Sequence, residues 1–215
     1  MNIIAPGAMV RFGWETFKKR PWFFIGVNLF LIIISEVSSQ IASTATTPEW
    51  DFTGVALFLV DFLVVQVLVF MGTTAFFLKA HDNAEKTTLG DTWAPQEYWK
   101  FLGAYLLTVI LVVGGLILLV VPGIILGMVL YFTLFPVIDR GLGPLQALSE
   151  SARITKGHRW QLFLFSLAFL GLNILGLLAL VVGLLVTIPV SWLAMAHVYR
   201  TLEHSASEIA PVPAV

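Results

Sequence analysis

Four apolar stretches dominate the chain, and their lengths decide what it can fold into. A helix that crosses the ~30 Å hydrocarbon layer of a membrane uses about 20 largely apolar residues. The first stretch runs from Trp22 to about Ala42 and turns polar after Ile34. The second, Phe52 to Leu78, has 27 residues, or about 40 Å of helix at 1.5 Å each. The third has 38 residues from Phe101 to Ile138; as one helix it would measure about 57 Å, so it must fold back. The fourth, 40 residues from Trp160 to Tyr199, is expected to break between Gly183 and Pro189. Six transmembrane helices follow, at 22–42, 52–78, 101–121, 122–138, 160–182 and 183–202. They pair as three hairpins in a single all-α, polytopic membrane bundle. Residues 1–21 form a cytoplasmic interfacial segment and 203–215 a cytoplasmic tail.

Composition removes the competing classes. The hydrophobic share is 58%, the charged share 12% and the mean hydropathy +0.91, against roughly 45–50% and about 25% in soluble domains. Disorder needs the opposite balance. A net charge of −1 provides no basic footprint for nucleic acid. Cysteine is absent, which excludes disulfides, thiolate metal ligands and cysteine nucleophiles.

Charge placement tests the span count independently, because lysine and arginine concentrate on cytoplasmic loops. Arg11, Lys18, Lys19 and Arg20 precede the first span, and Lys79, Lys86 and Lys100 lie between the second and third. Arg140, Arg153, Lys156 and Arg159 lie between the fourth and fifth, and Arg200 ends the sixth. All twelve basic residues therefore fall on one side, with both termini in the cytoplasm. The run from Trp22 to Ile34, followed by Ser43-Thr44-Ala45, is also similar to a signal peptide. We read it as an uncleaved first span.

Three aromatic-basic lead-ins precede the hairpins: Lys19-Arg20-Pro21-Trp22-Phe23, Tyr98-Trp99-Lys100-Phe101 and His158-Arg159-Trp160-Gln161. They suggest a triplicated unit, although such residues mark any membrane interface. Val121-Pro122-Gly123 is the expected outer turn of the third stretch, since proline fits a helix start and glycine a tight turn. Between the second and third hairpins, Gly143-Pro144 can open an amphipathic helix with Leu145, Leu148 and Ala152 on one face, and Gly157 can close it. Near the N-terminus Val10, Trp14 and Phe17 share a face that can dip into the interface. Arg11, Lys18, Lys19 and Arg20, with Arg153, Lys156, His158 and Arg159, are the candidate contacts to anionic lipid headgroups; the plainer reading is topology anchoring alone.

One run of the sequence resembles a known pattern: Val120-Val121-Pro122-Gly123-Ile124-Ile125, then Pro136-Val137-Ile138, then Ala147-Leu148-Ser149-Glu150-Ser151-Ala152-Arg153-Ile154-Thr155-Lys156-Gly157-His158. It resembles the uncharacterised bacterial inner-membrane proteins of the YciC type. It is also similar to the membrane domain fused ahead of some glycerophosphodiester phosphodiesterases. The resemblance implies a multipass module of the bacterial inner membrane and no activity, since in those fusions the chemistry belongs to a soluble domain.

The residues offer little chemistry of their own. No phosphate loop, zinc-binding H-E-x-x-H helix or G-x-S-x-G elbow occurs, so neither a catalytic residue, a metal nor a cofactor is expected. His81, Asp82 and Glu85 could hold a metal only weakly, and a solvated polar loop is the stronger reading. His197 is expected half-buried against a backbone carbonyl. Gln66 and Asn173 read as hydrogen-bonding links between helices, and Gly123 with Gly127 as close helix packing. Asp61 and Glu36 lie within spans, where an ionisable group is costly. They are the candidate proton or cation site; the alternative is that Glu36 meets water and that hydroxyls or amides satisfy Asp61.

The leading functional expectation is a non-enzymatic membrane module, an accessory or scaffold protein in envelope or lipid homeostasis. The alternative is a small transporter or channel using Asp61 and Glu36. Expected partners are the bilayer, anionic lipids, and a membrane protein or a second copy of the chain.

Overall fold

The structure, a computed structural model, describes residues 4–44, 52–179 and 183–209. Among them all regular structure is helical. Helix α1 (Pro6–Lys19) ends at Arg20, whose backbone leaves the helical region ahead of Pro21, as a residue before proline must. Pro21 then opens α2 (Pro21–Thr44). The second apolar stretch is one continuous helical rod, α3 (Phe52–Val60), a π-helical turn (Asp61–Gln66) and α4 (Val67–Asp82). Two short 3₁₀ turns lead to α5 (Tyr98–Leu118), α6 (Val120–Val129) and α7 (Leu134–Arg140). Then come α8 (Pro144–Ile154), α9 (Arg159–Leu178) and α10 (Leu184–Ile209).

Five stretches among the described residues are long and apolar enough to cross a membrane: Pro21–Ser43, Phe52–Asp82, Leu89–Leu118, Val120–Arg140 and Arg159–Leu178. The chain is thus a multipass helical membrane protein. These stretches overlie the first five expected spans. The sixth, 183–202, falls on α10, which is not among the five. Its apolar run is diluted by Pro189, Ser191, His197 and Arg200. Packing explains how such a helix is accommodated: α10 is the axis of the bundle, touching α1, α2, α4, α8 and α9. Ser191, Leu193, Ala196, Val198 and Tyr199 on it are buried, so its polar groups meet protein rather than lipid.

The opposite pattern holds on the outer helices. Ile117, Leu118, Leu119, Val120 and Val121 at the tip of the α5–α6 hairpin are exposed, as are Leu175 and Leu178 on α9. In water this surface would cost about 25 cal/mol per Å²; against hydrocarbon it costs nothing.

Several expected local features differ from what folds. The reversal in the third stretch centres on Leu119, whose extended backbone (φ −159°, ψ 133°) separates α5 from α6. Pro122 lies in the first turn of α6, and the positive-φ glycines are Gly141 and Gly157, not Gly123. Gly123 is instead where the two arms touch: a Cβ there would stand 2.5 Å from the Leu116 amide nitrogen. Gly127 makes no such approach, its nearest neighbour being Val112 Cγ1 at 3.9 Å.

The two amphipathic segments also turn different faces inward. On α1 the buried set is Met9, Gly13, Thr16 and Phe17, and it packs on α10; a Cβ at Gly13 would stand 3.1 Å from the Ala194 amide nitrogen. Phe17 thus belongs to the protein core, while Trp14 stays partly exposed. On α8 the buried set is Ala147, Ser151 and Ile154, whereas Leu145 is exposed. Both corrections have one cause: each helix covers a neighbouring helix that was invisible in its own periodicity.

The three lead-ins do occupy helix starts, at Pro21, Tyr98 and Arg159. In each the tryptophan (Trp22, Trp99, Trp160) is exposed and the residue two places on (Phe24, Phe101, Leu162) is fully buried.

Candidate functional site

Two polar centres emerge, one between the apolar helices and one at the end of the bundle where α4 stops. The first forms around the π-helical turn. Ser38 on α2 donates its hydroxyl to Asp61 Oδ1, and Gln66 Nε2 donates to Asp61 Oδ2 at 3.3 Å. Ser35 Oγ donates to Gln66 Oε1 at 2.7 Å, and Gln66 Nε2 reaches back to the Ser35 carbonyl at 3.4 Å. A π turn inserts one residue into the helical register, and here it carries Asp61 and Gln66 to α2 together. Asp61 is therefore satisfied by a hydroxyl and an amide. Glu36 is exposed and lines a neighbouring cleft with Ser35 and Gln66. Gln66 and Asn173 both link helices: Asn173 Nδ2 donates to Ser191 Oγ (3.0 Å) and its Oδ1 accepts from Thr187 (3.2 Å).

The second centre is organised by Arg200. Its guanidinium reaches Asp82 (2.7 and 3.1 Å), Asp139 (2.7 Å) and Glu203 (3.0 Å). Tyr199, fully buried beside it, donates its hydroxyl to Asp139 at 3.2 Å. Arg140 contacts Glu150 at 2.5 Å and Glu203 at 3.5 Å, and Arg153 meets Glu150 at 2.7 and 2.8 Å. The hydrogen bond from Arg153, reinforced by Arg140, overcomes partial burial and holds the Glu150 carboxyl near pKa 2, well below its ordinary 4.5. Helices α4, α7, α8 and α10 are thereby tied at one end around a cleft of about 580 Å³.

His81 Nδ1 lies 3.0 Å from Asp82 Oδ1 and His81 Nε2 lies 3.0 Å from His197 Nδ1. Phe12 of α1 stacks on the His197 ring at 3.8 Å. The expected partner of His197, a backbone carbonyl, is replaced by a second histidine. His81 and Asp82 belong to the last turn of α4 rather than to a solvated loop, and Glu85 lies beyond it. Among the described residues no three His, Asp or Glu side chains stand close enough to hold a metal ion.

The candidate headgroup residues divide. Arg20 is committed to the protein: it donates to the carbonyls of Ala84 (3.3 Å), Glu85 (3.0 Å) and Thr87 (2.9 Å) and lies 4.0 Å over Phe23. Arg153 also donates to the Ala206 carbonyl at 3.1 Å, and the His158 ring meets Gln161 at 3.1 Å. Arg11 pairs with Glu15 at 2.9 Å, and Lys18 lies 5.9 Å over Trp14. Lys19, Lys156 and Arg159 are exposed. In the sequence Arg140 and Arg200 stand only as markers of topology; in the structure both are framework residues. No local signal distinguishes a paired arginine from a solvated one.

A family described as a protein of unknown function (DUF975) matches residues 52–206. An uncharacterised protein of Mycobacterium bovis and two of Mycobacterium tuberculosis are each 28% identical over 185 residues. The alignment covers 84% of this chain and 56% of theirs, so the chain spans little more than half the length of the curated relatives it matches. No solved structure matches it.

Proposed function

The chain belongs to the DUF975 family of proteins of unknown function, and on that premise we propose that it is an accessory or scaffold module of a bacterial inner membrane. Its role would lie in envelope or membrane-lipid homeostasis and involve no catalysis of its own. Both ends face the cytoplasm and α10 supplies a sixth crossing. The observation that carries the reading is the charge network at one end of the bundle: Arg200 joins α4, α7 and α10 through Asp82, Asp139 and Glu203. Charged groups that neutralise one another across four helices build a rigid platform. The exposed Lys19, Lys156 and Arg159 are suited to anionic headgroups. The relation to YciC-type proteins, and to the membrane domain of glycerophosphodiester phosphodiesterases, forms part of this proposal and supports the accessory role. Purification in mild detergent with protein and lipid mass spectrometry tests it. A stoichiometric protein partner is expected; a chain that purifies alone and supports flux in liposomes would overturn the reading.

A transporter or channel has one observation in its favour, the polar cluster of Ser35, Ser38, Asp61 and Gln66 between apolar helices. Liposome flux with and without Asp61→Asn decides that alternative.

A further inference from the structure

Between α2, α4 and α10 runs an open cleft of about 310 Å³, at the lower end of ligand-site volumes. Asn28 lies in its wall, only 4% exposed, and the Asn28 Nδ2 group is buried without a hydrogen-bond partner. A buried amide donor left without a partner forfeits the hydrogen bond it would make to water, so the cleft invites an acceptor. The neighbouring polar groups do not supply one. The hydroxyls of Thr73 and Ser35 are turned to the Val69 carbonyl at 2.7 Å and to Gln66, and neither oxygen takes a hydrogen bond from Asn28.

At the other end of the cleft is the carboxylate of Glu36, eight residues along α2 and thus about 12 Å from Asn28 along the helix axis. From Pro21 to Leu78 the sequence contains no lysine or arginine, and the α10 residues that line the cleft, Ile188 and Trp192, are uncharged. The lining therefore carries negative charge and no cation of its own. Trp192 and Phe70 form an aromatic wall, ring centroids 5.7 Å apart, and such faces attract cations.

We propose that this cleft binds a small amphiphilic amine, with its ammonium group at Glu36 and a hydroxyl or carbonyl oxygen at Asn28. A bare metal ion is a poor match because it offers Asn28 no acceptor. An anion meets Glu36 unfavourably. At ~30 Å³ per water-sized group, the volume suits a ligand on the order of ten non-hydrogen atoms. The inference is independent of the accessory reading: loss of amine binding would leave the partner test untouched.

The test is titration calorimetry on the full chain in detergent micelles with amino-octanol, octylamine, octanol and hydroxy-octanoate. Amino-octanol is expected to bind most tightly and hydroxy-octanoate most weakly. Glu36→Gln should weaken amino-octanol and octylamine alike by about tenfold, the worth of a charge-assisted contact, and leave octanol unchanged. Asn28→Leu should reduce amino-octanol to the affinity of octylamine without altering octylamine itself. Equal affinity for octanol and amino-octanol in the unmodified chain would show a mere apolar groove and overturn the proposal. So would an unaltered amino-octanol affinity in Glu36→Gln.

Discussion

Ser151 of α8 closes the break in the backbone at Val129: its hydroxyl donates to the Val129 carbonyl at 2.9 Å and accepts the Phe132 amide at 3.2 Å. Thr155, one turn on, donates to the same carbonyl at 3.1 Å. Helix α6 stops at Val129 and α7 begins at Leu134, so the intervening backbone groups need partners from elsewhere. The Ser-x-x-x-Thr spacing supplies them from a separate helix. Ser151→Ala should destabilise the protein by about 1–3 kcal/mol, because the Phe132 amide is left buried and unpaired. Thr155→Val should cost less, since Ser151 still serves Val129. Reversible unfolding in mixed micelles measures both.

Arg200 is the arginine whose loss should be felt most. Its side chain is 19% exposed and faces three carboxylates. Arg200→Met leaves them without their shared cation, and removing one partner of a largely buried ion pair costs about 3–5 kcal/mol. Arg200→Lys should recover only part, because a point charge cannot reproduce the two-oxygen contact with Asp82. Thermal melting of the three proteins ranks them.

Glycine substitutions separate helix contact from lipid contact on one hairpin. Gly123→Ala places a methyl group 2.5 Å from the Leu116 amide nitrogen and should cost about 1–3 kcal/mol by overpacking. Gly114→Ala meets nothing within 4 Å and should be neutral or slightly stabilising, as alanine suits a helix interior better. Equal melting temperatures for the two variants would refute the close contact of α5 and α6.

Acid should weaken the α7–α8–α10 junction through Glu150. Its folded pKa of about 2 lies below the ordinary 4.5, so the unfolded chain takes up the proton first. The stabilisation is complete above 4.5 and is lost as pH falls towards 2. Glu150→Gln should flatten that part of the stability profile, read from melts between these two values.

Because the chain has no cysteine, any introduced one is unique. Thr47→Cys, which lies outside the described residues, should react with a membrane-impermeant maleimide on intact cells. Ser149→Cys and Lys86→Cys, both at exposed positions, should react only after permeabilisation. Ala84 is buried, which makes it a poor reporter. External labelling at 149 would overturn the orientation.

The apolar stretches alone determined where most of the helices lie. The hydrocarbon layer demands about 20 apolar residues per crossing and internal satisfaction of every backbone group, so length and hydropathy suffice to place α2, the α3–α4 rod, α5 and α9. Gly143-Pro144 likewise marks the start of α8, and Gly157 follows its end. What each helix touches was decided only by the fold. His81 and His197 are 116 residues apart and Asp82 and Arg200 118 apart, and a charge awaiting such a partner has the same local sequence as one in water. The buried faces of α1 and α8 differ from the expected ones for the same reason: periodicity shows that a helix has an apolar side, but neither its centre nor what covers it. The reversal at Leu119 instead of Pro122 is a third case, since close packing of Gly123 on Leu116 fixes where the chain turns. In the sequence nothing sets Asn28 apart within its apolar span; only its packing against α4 and α10 leaves its amide buried and without an acceptor.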